Sequence, residues 1–175
     1  MQIETFDSFH PEHRQLYEQI LSLTQPINDT YPENTKWFKE KFIPGLAKKE
    51  RMYIVARDDN NVLAGCVLIK KTKEEKKICT LFVNPKFRRQ GLGKQLMEQT
   101  LKELGEHPLI TVSSRNLSQL SRLLEQCGFH LSATKKGVYN SEDTEYYFND
   151  QKADLIKNGL VPVLIKRMKQ LKKIR

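Results

Sequence analysis

Seven consecutive residues, Arg88-Arg89-Gln90-Gly91-Leu92-Gly93-Lys94, set three cations around two closely spaced glycines at the start of an apolar-periodic segment. That composition suits a ligand bearing phosphate. Gly91 and Gly93 lack a Cβ, so the backbone can approach an anion and aim free amide N–H groups at it, and a helix N-terminus adds a favourable dipole. Hydrogen bonds to a charged partner contribute about 1.5 to 3 kcal/mol each, against about 0.3 to 1 kcal/mol for an exposed dipole. Amide geometry therefore carries the binding, and Arg88, Arg89 and Lys94 supply surrounding charge. Other phosphate loops fit less well. A Walker A loop needs Gly at position 88 and Ser or Thr at position 95, where Arg88 and Gln95 stand; a dinucleotide fingerprint needs Gly at 88, 90 and 93, and Gly93 alone complies.

The elements that must hold this loop are readable from periodicity. Ile78 to Val83 reads as a strand running into an Asn84-Pro85 turn, and Leu92, Leu96, Met97, Leu101 and Leu104 form the apolar stripe of a helix ending at Gly105. Upstream, Met1 to Phe6 reads as a strand, and Pro11 opens a helix whose Leu16, Ile20 and Leu21 share a face. Thr35 suits the cap of a second helix presenting Trp37, Phe38 and Phe42 and ending near Pro44-Gly45. Tyr53 to Arg57 and Val62 to Lys70 read as a hairpin across Asp58 to Asn61, followed by a polar turn from Lys71 to Lys77. Downstream come a strand at Leu109 to Ser113, a helix from about Ser118 to Gln126 closed by Cys127-Gly128-Phe129, and strands at His130 to Lys135 and Thr144 to Phe148. Strands alternating with helices and ending in a hairpin-like pair predict an α/β or α+β layer fold around one sheet.

Composition bounds the rest. With 38% hydrophobic and 29% charged residues, the 175-residue chain can bury one ordinary core. It shows no run of 18 apolar residues and no signal-like N-terminus, which predicts a cytoplasmic protein without a membrane span. Cys66, Cys79 and Cys127 are odd in number and widely spaced, so they read as free thiols and not as metal ligands or a disulfide framework. The charge is uneven. Residues 151 to 175 hold eight Lys or Arg against Asp154, giving +7, which leaves 22 basic and 20 acidic residues, or +2, for residues 1 to 150. Two units are predicted: a folded domain over 1–150 and a basic amphipathic extension over 151–175 with Leu160, Leu164, Ile165, Met168 and Leu171 at helical spacing. Docking on the domain, homodimer formation, contact with RNA or an acidic protein, and a membrane surface are all open to such a segment.

Leu81 through Leu96 resembles the L-x-V-x-P-x-x-R-x-x-G-x-G-x-x-L signature of the GNAT superfamily of N-acetyltransferases, supported by Ile110-Thr111-Val112, Asn116 and the Gly128-Phe129 ending. The resemblance spans roughly residues 1 to 150. It implies a twisted mixed sheet flanked by helices and splayed between the strands ending at Val83 and Ser113. It also implies acetyl-CoA as cosubstrate, with no metal. Arg88, Arg89, Gln90, Gly91, Leu92, Gly93 and Lys94 would hold the pyrophosphate, Phe82 and Val83 would meet the pantetheine by backbone, and Asn116 would face the pantetheine or its thiol end. The reaction it implies is direct attack of an amine on the thioester, with a strand N–H near Phe82 and Val83 at the oxyanion. The acceptor it implies is a small amine or a protein amine. An amine carried on RNA, such as aminoacyl-tRNA, and a sensor that binds acyl-CoA without turnover are the alternatives. The sequence departs from the family in three places, one being the stretch from Asn116 to Gly128, a residue longer than usual. Many members carry a tyrosine four residues before the Gly of Gly-Phe, where this chain has Leu124, and many carry a glutamate on the strand before the loop, whereas Lys76 to Gly93 holds no carboxylate.

No acid or base is therefore assigned. Tyr139, Tyr146 and Tyr147 lie near the last strands, where sheet packing or acceptor contact explains them as well as catalysis does. His107, before Pro108, reads as an exposed loop imidazole, and His10, His13 and His130 make no stronger case. Trp37 and Phe38 read first as core, with one ring able to line an acceptor channel.

Overall fold

In a computed structural model, residues 1–105 and 107–153 are described. They form one seven-stranded sheet in the order β1-β2-β3-β4-β5-β7-β6. The strands are β1 (Gln2–Phe6), β2 (Arg51–Arg57), β3 (Leu63–Lys71), β4 (Lys76–Val83), β5 (Leu109–Ser113), β6 (Leu131–Lys136) and β7 (Thr144–Phe148). Helices α1 (Arg14–Leu23), α2 (Asn34–Trp37) and α3 (Ile43–Ala47) precede β2, α4 (Leu92–Leu104) joins β4 to β5, and α5 (Ser114–Gln126) follows β5. Two apolar clusters divide the faces. One gathers Leu92, Leu96 and Met97 of α4 and Leu124 of α5 with Ile54, Ile78 and Val112. The other gathers Ile20, Phe38, Phe42 and Leu46 with Tyr53, Val55 and Leu68. Strands β2 and β3 feed both clusters because successive side chains alternate faces, so they read as continuous apolar runs.

Among the boundaries that differ from the sequence reading, three lie at helix ends. The second helix begins at Asn34 without a side-chain cap, and the backbone N–H and hydroxyl of Thr35 both bond to Asn28 Oδ1 at 3.2 Å. It also runs past Pro44-Gly45 to Ala47 through a π turn over Phe38–Phe42. Pro44 has no N–H for the helical ladder, and the wider π turn just upstream takes up the mismatch. Helix α5 starts at Ser114, earlier than expected, because the Ser113 side chain accepts from Arg115 N at 3.3 Å and serves as its cap. The predicted basic helix falls beyond Ala153, outside the described residues.

The single parallel pairing in the sheet positions the site. β4 and β5 are in register only at Lys77 with Leu109 and Ile78 with Ile110, then part. The β3–β4 register slips at the same level, between Leu68 and Ile69, leaving Cys79 as the extra residue of a bulge. Above it, Asn84 N donates to Ala64 O at 2.9 Å, which makes that pair and, by alternation, Phe82 with Cys66 the hydrogen-bonded ones. The N–H and C=O groups of Leu81 and Val83 therefore point away from β3 into the gap left by β5.

Gly65, opposite Val83, sets how closely β3, β4 and α4 can meet. A Cβ there would stand 3.0 Å from the Phe82 carbonyl oxygen and 3.0 Å from Leu96 Cδ1. The carbonyl is held in the ladder and cannot retreat freely. Gly65→Ala is expected to cost about 1 to 3 kcal/mol by overpacking, which for a chain of this size lowers Tm by roughly 3 to 10 °C; a thermal melt followed by circular dichroism checks it.

Candidate active site

The gap between β4 and β5 opens into a cleft of about 1390 Å³ that runs from the glycine loop to the α1–α2 connection. At the loop end, the chain leaves β4 through Asn84, whose side chain accepts from Lys86 N at 3.1 Å, and a 3-10 turn over Pro85–Phe87. Arg89 (φ 63°) and Gly91 (φ 82°) then turn it sharply into α4. The left-handed conformation at Gly91 suits a residue without a side chain, and a Cβ there would meet nothing within 4 Å, so the space beside it is open. The amides of Leu92 and Gly93 occupy the first helical positions, where no intrahelical carbonyl is available. This is a backbone donor array with cations beside it, the arrangement an anion requires.

Of the residues expected at the loop, Phe82, Val83, Arg88, Arg89, Gly91, Leu92, Gly93 and Lys94 line the cleft, as does Asn116 in the first turn of α5. Their roles divide by geometry. Arg88 Nε donates to Val83 O at 3.0 Å with its guanidinium over the Phe82 ring, 5.5 Å from the centroid, so this cation also ties the loop to the strand end. Phe82 lines the cleft, but its amide belongs to the β3 ladder, so backbone groups facing the gap come from Leu81 and Val83. Leu92 is buried in the core and leaves only its amide to the loop. Gln90 is not in the lining, and its side chain donates to Lys86 O at 3.3 Å. Lys94 Nζ stands 3.6 Å from exposed Glu98.

Sequence reasoning missed Arg122, which adds a cation to the wall from α5. With α5 beginning at Ser114, the cleft-facing residues Asn116, Gln119, Leu120 and Leu123 follow helical spacing. Leu124, the position where many family members carry an acid, is instead 0% exposed and lies in the core.

The opposite end is built from different elements. Pro26, Ile27, Tyr31, Glu33 and Trp37 of the α1–α2 region face Tyr139 across the opening. The Tyr31 and Tyr139 rings meet edge to face at 5.2 Å, and Tyr139 is 50% exposed. Beneath them the Tyr31 hydroxyl accepts from Ser113 N at 3.1 Å and donates to Glu145 Oε2 at 3.3 Å. Glu145 is 2% exposed, and burial raises its carboxyl above the usual range, opposed by the Tyr31 hydrogen bond and the charge of Lys77. Burial also raises the Tyr31 phenol, and the charge of Glu145 adds to that shift. Arg115 Nε, 2.8 Å from the Asp143 carboxylate, anchors the start of α5 beside β7.

The remaining candidates fall elsewhere. His107 is exposed, as expected, and its Nε2 donates to Cys127 O at 3.0 Å at the end of α5. His13 Nδ1 lies 2.7 Å from Tyr53 OH, and His10 packs beside it at 4.8 Å between centroids, at the β1–α1 corner. Tyr146 packs on the core under α4 and α5. Phe38 is core, whereas Trp37 lines the cleft. The three cysteines are free, and burial pushes the Cys66 thiol up to about 12. Among the described residues, no group of His, Cys, Asp or Glu is placed to hold a metal ion, and no helix is long and apolar enough to cross a membrane.

Residues 26–141 match the family model of the GNAT acetyltransferase domain. No curated protein matches the sequence. The fold is shared with solved structures at low identity. An acetyltransferase of the GNAT family from Desulfovibrio desulfuricans is 17% identical with a TM-score of 0.65, covering 84% of this chain and 97% of that one. An aminoglycoside 6'-N-acetyltransferase solved with coenzyme A is 16% identical at TM-score 0.61, covering 85% and 95%. The ribosomal-protein-S18-alanine N-acetyltransferase of Escherichia coli is 18% identical at TM-score 0.60, covering 84% and 92%. A seven-stranded mixed sheet parted at its one parallel pairing, a glycine loop opening α4, and a family model spanning well over half the chain make this protein a member of the GNAT family of acetyl-CoA-dependent N-acetyltransferases.

Proposed function

We propose that acetyl-CoA lies along β4 with its pyrophosphate on the amides of Gly91 to Gly93, and that its acetyl group passes to a primary amine entering beside Tyr31, Trp37 and Tyr139. The parting of β4 and β5 carries this reading. It leaves the Leu81 backbone groups and the Val83 N–H for the pantetheine arm and the thioester oxygen, where a preorganised N–H stabilises developing negative charge, while the Val83 carbonyl accepts from Arg88. Phe87, Leu120 and Leu123 supply apolar wall for the arm, and Arg88, Arg89 and Arg122 supply charge for the phosphates.

The acceptor wall favours a small-molecule or protein amine over one carried on RNA. It presents aromatic faces and Glu33, which attract an alkylammonium, whereas the arginines gather at the loop end. The resemblance in fold to enzymes acting on an aminoglycoside and on a ribosomal protein is compatible with both kinds of acceptor and selects neither. The test is thiol release from acetyl-CoA with a panel of primary amines, peptides and aminoacyl-tRNA, with products identified by mass. At least one primary amine is expected to gain an acetyl group. Coenzyme A binding without amine-dependent thiol release across the panel overturns transfer and leaves a binding module.

A further inference from the structure

The acceptor end of the cleft holds a hydrogen-bonded pair whose donors and acceptors are already assigned. Tyr31 OH has one hydrogen, and that hydrogen is given to Glu145 Oε2 at 3.3 Å. One lone pair of the same oxygen accepts from Ser113 N at 3.1 Å. What the phenol can still offer is a second lone pair, and a lone pair takes a hydrogen from a donor such as an amine. The segment carrying Tyr31 is separated from β7 by more than a hundred residues, and the contact with Glu145 bridges a residue separation of 114. Behind the phenol, Glu145 is sealed from solvent and sits opposite Ser113 in the β5–β7 register.

We propose that Tyr31 and Glu145 form the proton-accepting end of the active site, in which the Tyr31 oxygen takes a hydrogen from the attacking amine as its own proton moves to Glu145. This rests on the acyl-transfer reading above. The amine nitrogen bonds to the thioester carbonyl carbon and loses a proton to the Tyr31 oxygen, and Glu145 becomes a neutral acid. The C–S bond then breaks with its electron pair on sulfur, and Glu145 returns the proton through Tyr31 to the thiolate. The balance is one amine and one acetyl-CoA giving one acetamide and one CoA thiol, with Glu145 ionised at the end as at the start.

The pair also answers what α5 lacks. The α5 residues lining the cleft are Asn116, Gln119, Gln126, Ser118, Arg122 and two leucines, none of which can exchange a proton with the departing thiol near neutral pH. The charged groups around Glu145 are Lys77 of β4 and Asp143 just before its own strand, with Lys135 opposite it on β6. Burial dominates their combined action and lifts the carboxyl, bringing its proton affinity closer to that needed of a base near neutral pH. Tyr31 touches the acceptor and is the catalytic residue; Glu145 acts through it.

The test compares wild type, Tyr31→Phe and Glu145→Gln in the full chain, with acetyl-CoA and two probe nucleophiles, n-butylamine and hydroxylamine. Once bonded to the carbonyl carbon, the nitrogen of the alkylamine holds its extra proton tightly and needs a base to lose it, whereas that of the weakly basic hydroxylamine gives it up readily to water. Coenzyme A affinity by calorimetry is expected to stay within about twofold in both variants. With n-butylamine, kcat is expected to fall about a hundredfold, the scale of a lost general base. Glu145→Gln should also lose the acid limb of the kcat–pH profile. With hydroxylamine the fall should be less than tenfold. Equal losses for both nucleophiles with the acid limb intact would mean that Tyr31 merely anchors its segment, and the proposal fails. Variants as fast as wild type sink it equally. Absence of acetylated product from wild type removes the acyl-transfer reading and this inference with it, whereas product from wild type and unchanged variants removes this inference alone.

Discussion

Gly91→Glu is expected to reduce CoA affinity by at least a hundredfold in isothermal titration while leaving a folded protein. Two effects combine at this position. The site beside Gly91 is open, with no atom within 4 Å of where a Cβ would stand, so the new side chain finds room in the cleft and not in the core. It would place a carboxylate where the pyrophosphate is proposed to sit, and would keep the ligand from the Leu92 and Gly93 amides. Two charge-assisted hydrogen bonds at about 1.5 to 3 kcal/mol each amount to roughly 3 to 6 kcal/mol, and about 1.4 kcal/mol is tenfold in affinity. The strain of a non-glycine residue at φ 82° costs about 1 to 2 kcal/mol of stability, a few degrees in Tm. Gly91→Ala separates the terms, because it carries the strain without the charge. If the glutamate variant is folded and binds CoA as wild type does, the pyrophosphate does not lie on this loop.

Leu124→Tyr is expected to unfold the protein more readily and not to improve catalysis, although the family pattern invites the substitution as restoration of a missing acid. Leu124 is 0% exposed and belongs to the core cluster shared by α4, α5 and the sheet. A phenol there overfills the site, at about 1 to 3 kcal/mol, and buries a hydroxyl with no provided partner, at about 1 to 3 kcal/mol more. The sum corresponds to a Tm lower by on the order of 10 °C. Leu123→Tyr is the informative contrast. One residue along a helix rotates the side chain by about 100°, and Leu123 lines the cleft, so that variant should keep its Tm within a few degrees. Scanning calorimetry of the two decides the matter; equal stability would mean that Leu124 does not face the core and Leu123 the cleft.

The glycine loop was legible in the sequence because its pattern is local. Gly91, Gly93 and the cations around them are contiguous, the binding proposed for the loop uses its own backbone, and the apolar stripe from Leu92 to Leu104 announces the helix whose N-terminus it forms. The strand and helix order was legible for the same reason, since periods of two and 3.6 residues are written into short windows. The boundaries that failed were those decided by a single capping contact or by packing. Ser113 rather than Ser118 opens α5, and Pro44 is carried inside a helix that the core around Phe38, Phe42 and Leu46 holds together.

The proposed acceptor end was decided by tertiary structure alone. Tyr31 lies in a turn-prone stretch with no motif, and Glu145 reads as one acidic residue within a strand; nothing in either neighbourhood signals the other. The β5–β7 pairing and the segment after α1 bring the Ser113 amide, the Tyr31 hydroxyl and the Glu145 carboxylate within two hydrogen bonds of one another. Likewise, the sequence could show that Leu124 stands where relatives place an acid, but not which side of α5 faces the cleft. Residue type and spacing determined the family, the cosubstrate loop and the order of elements, because those depend on interactions within about a dozen residues. The Tyr31–Glu145 pair proposed to carry the proton and the buried position of Leu124 were set by long-range packing, whose pairings leave no periodic trace in the chain.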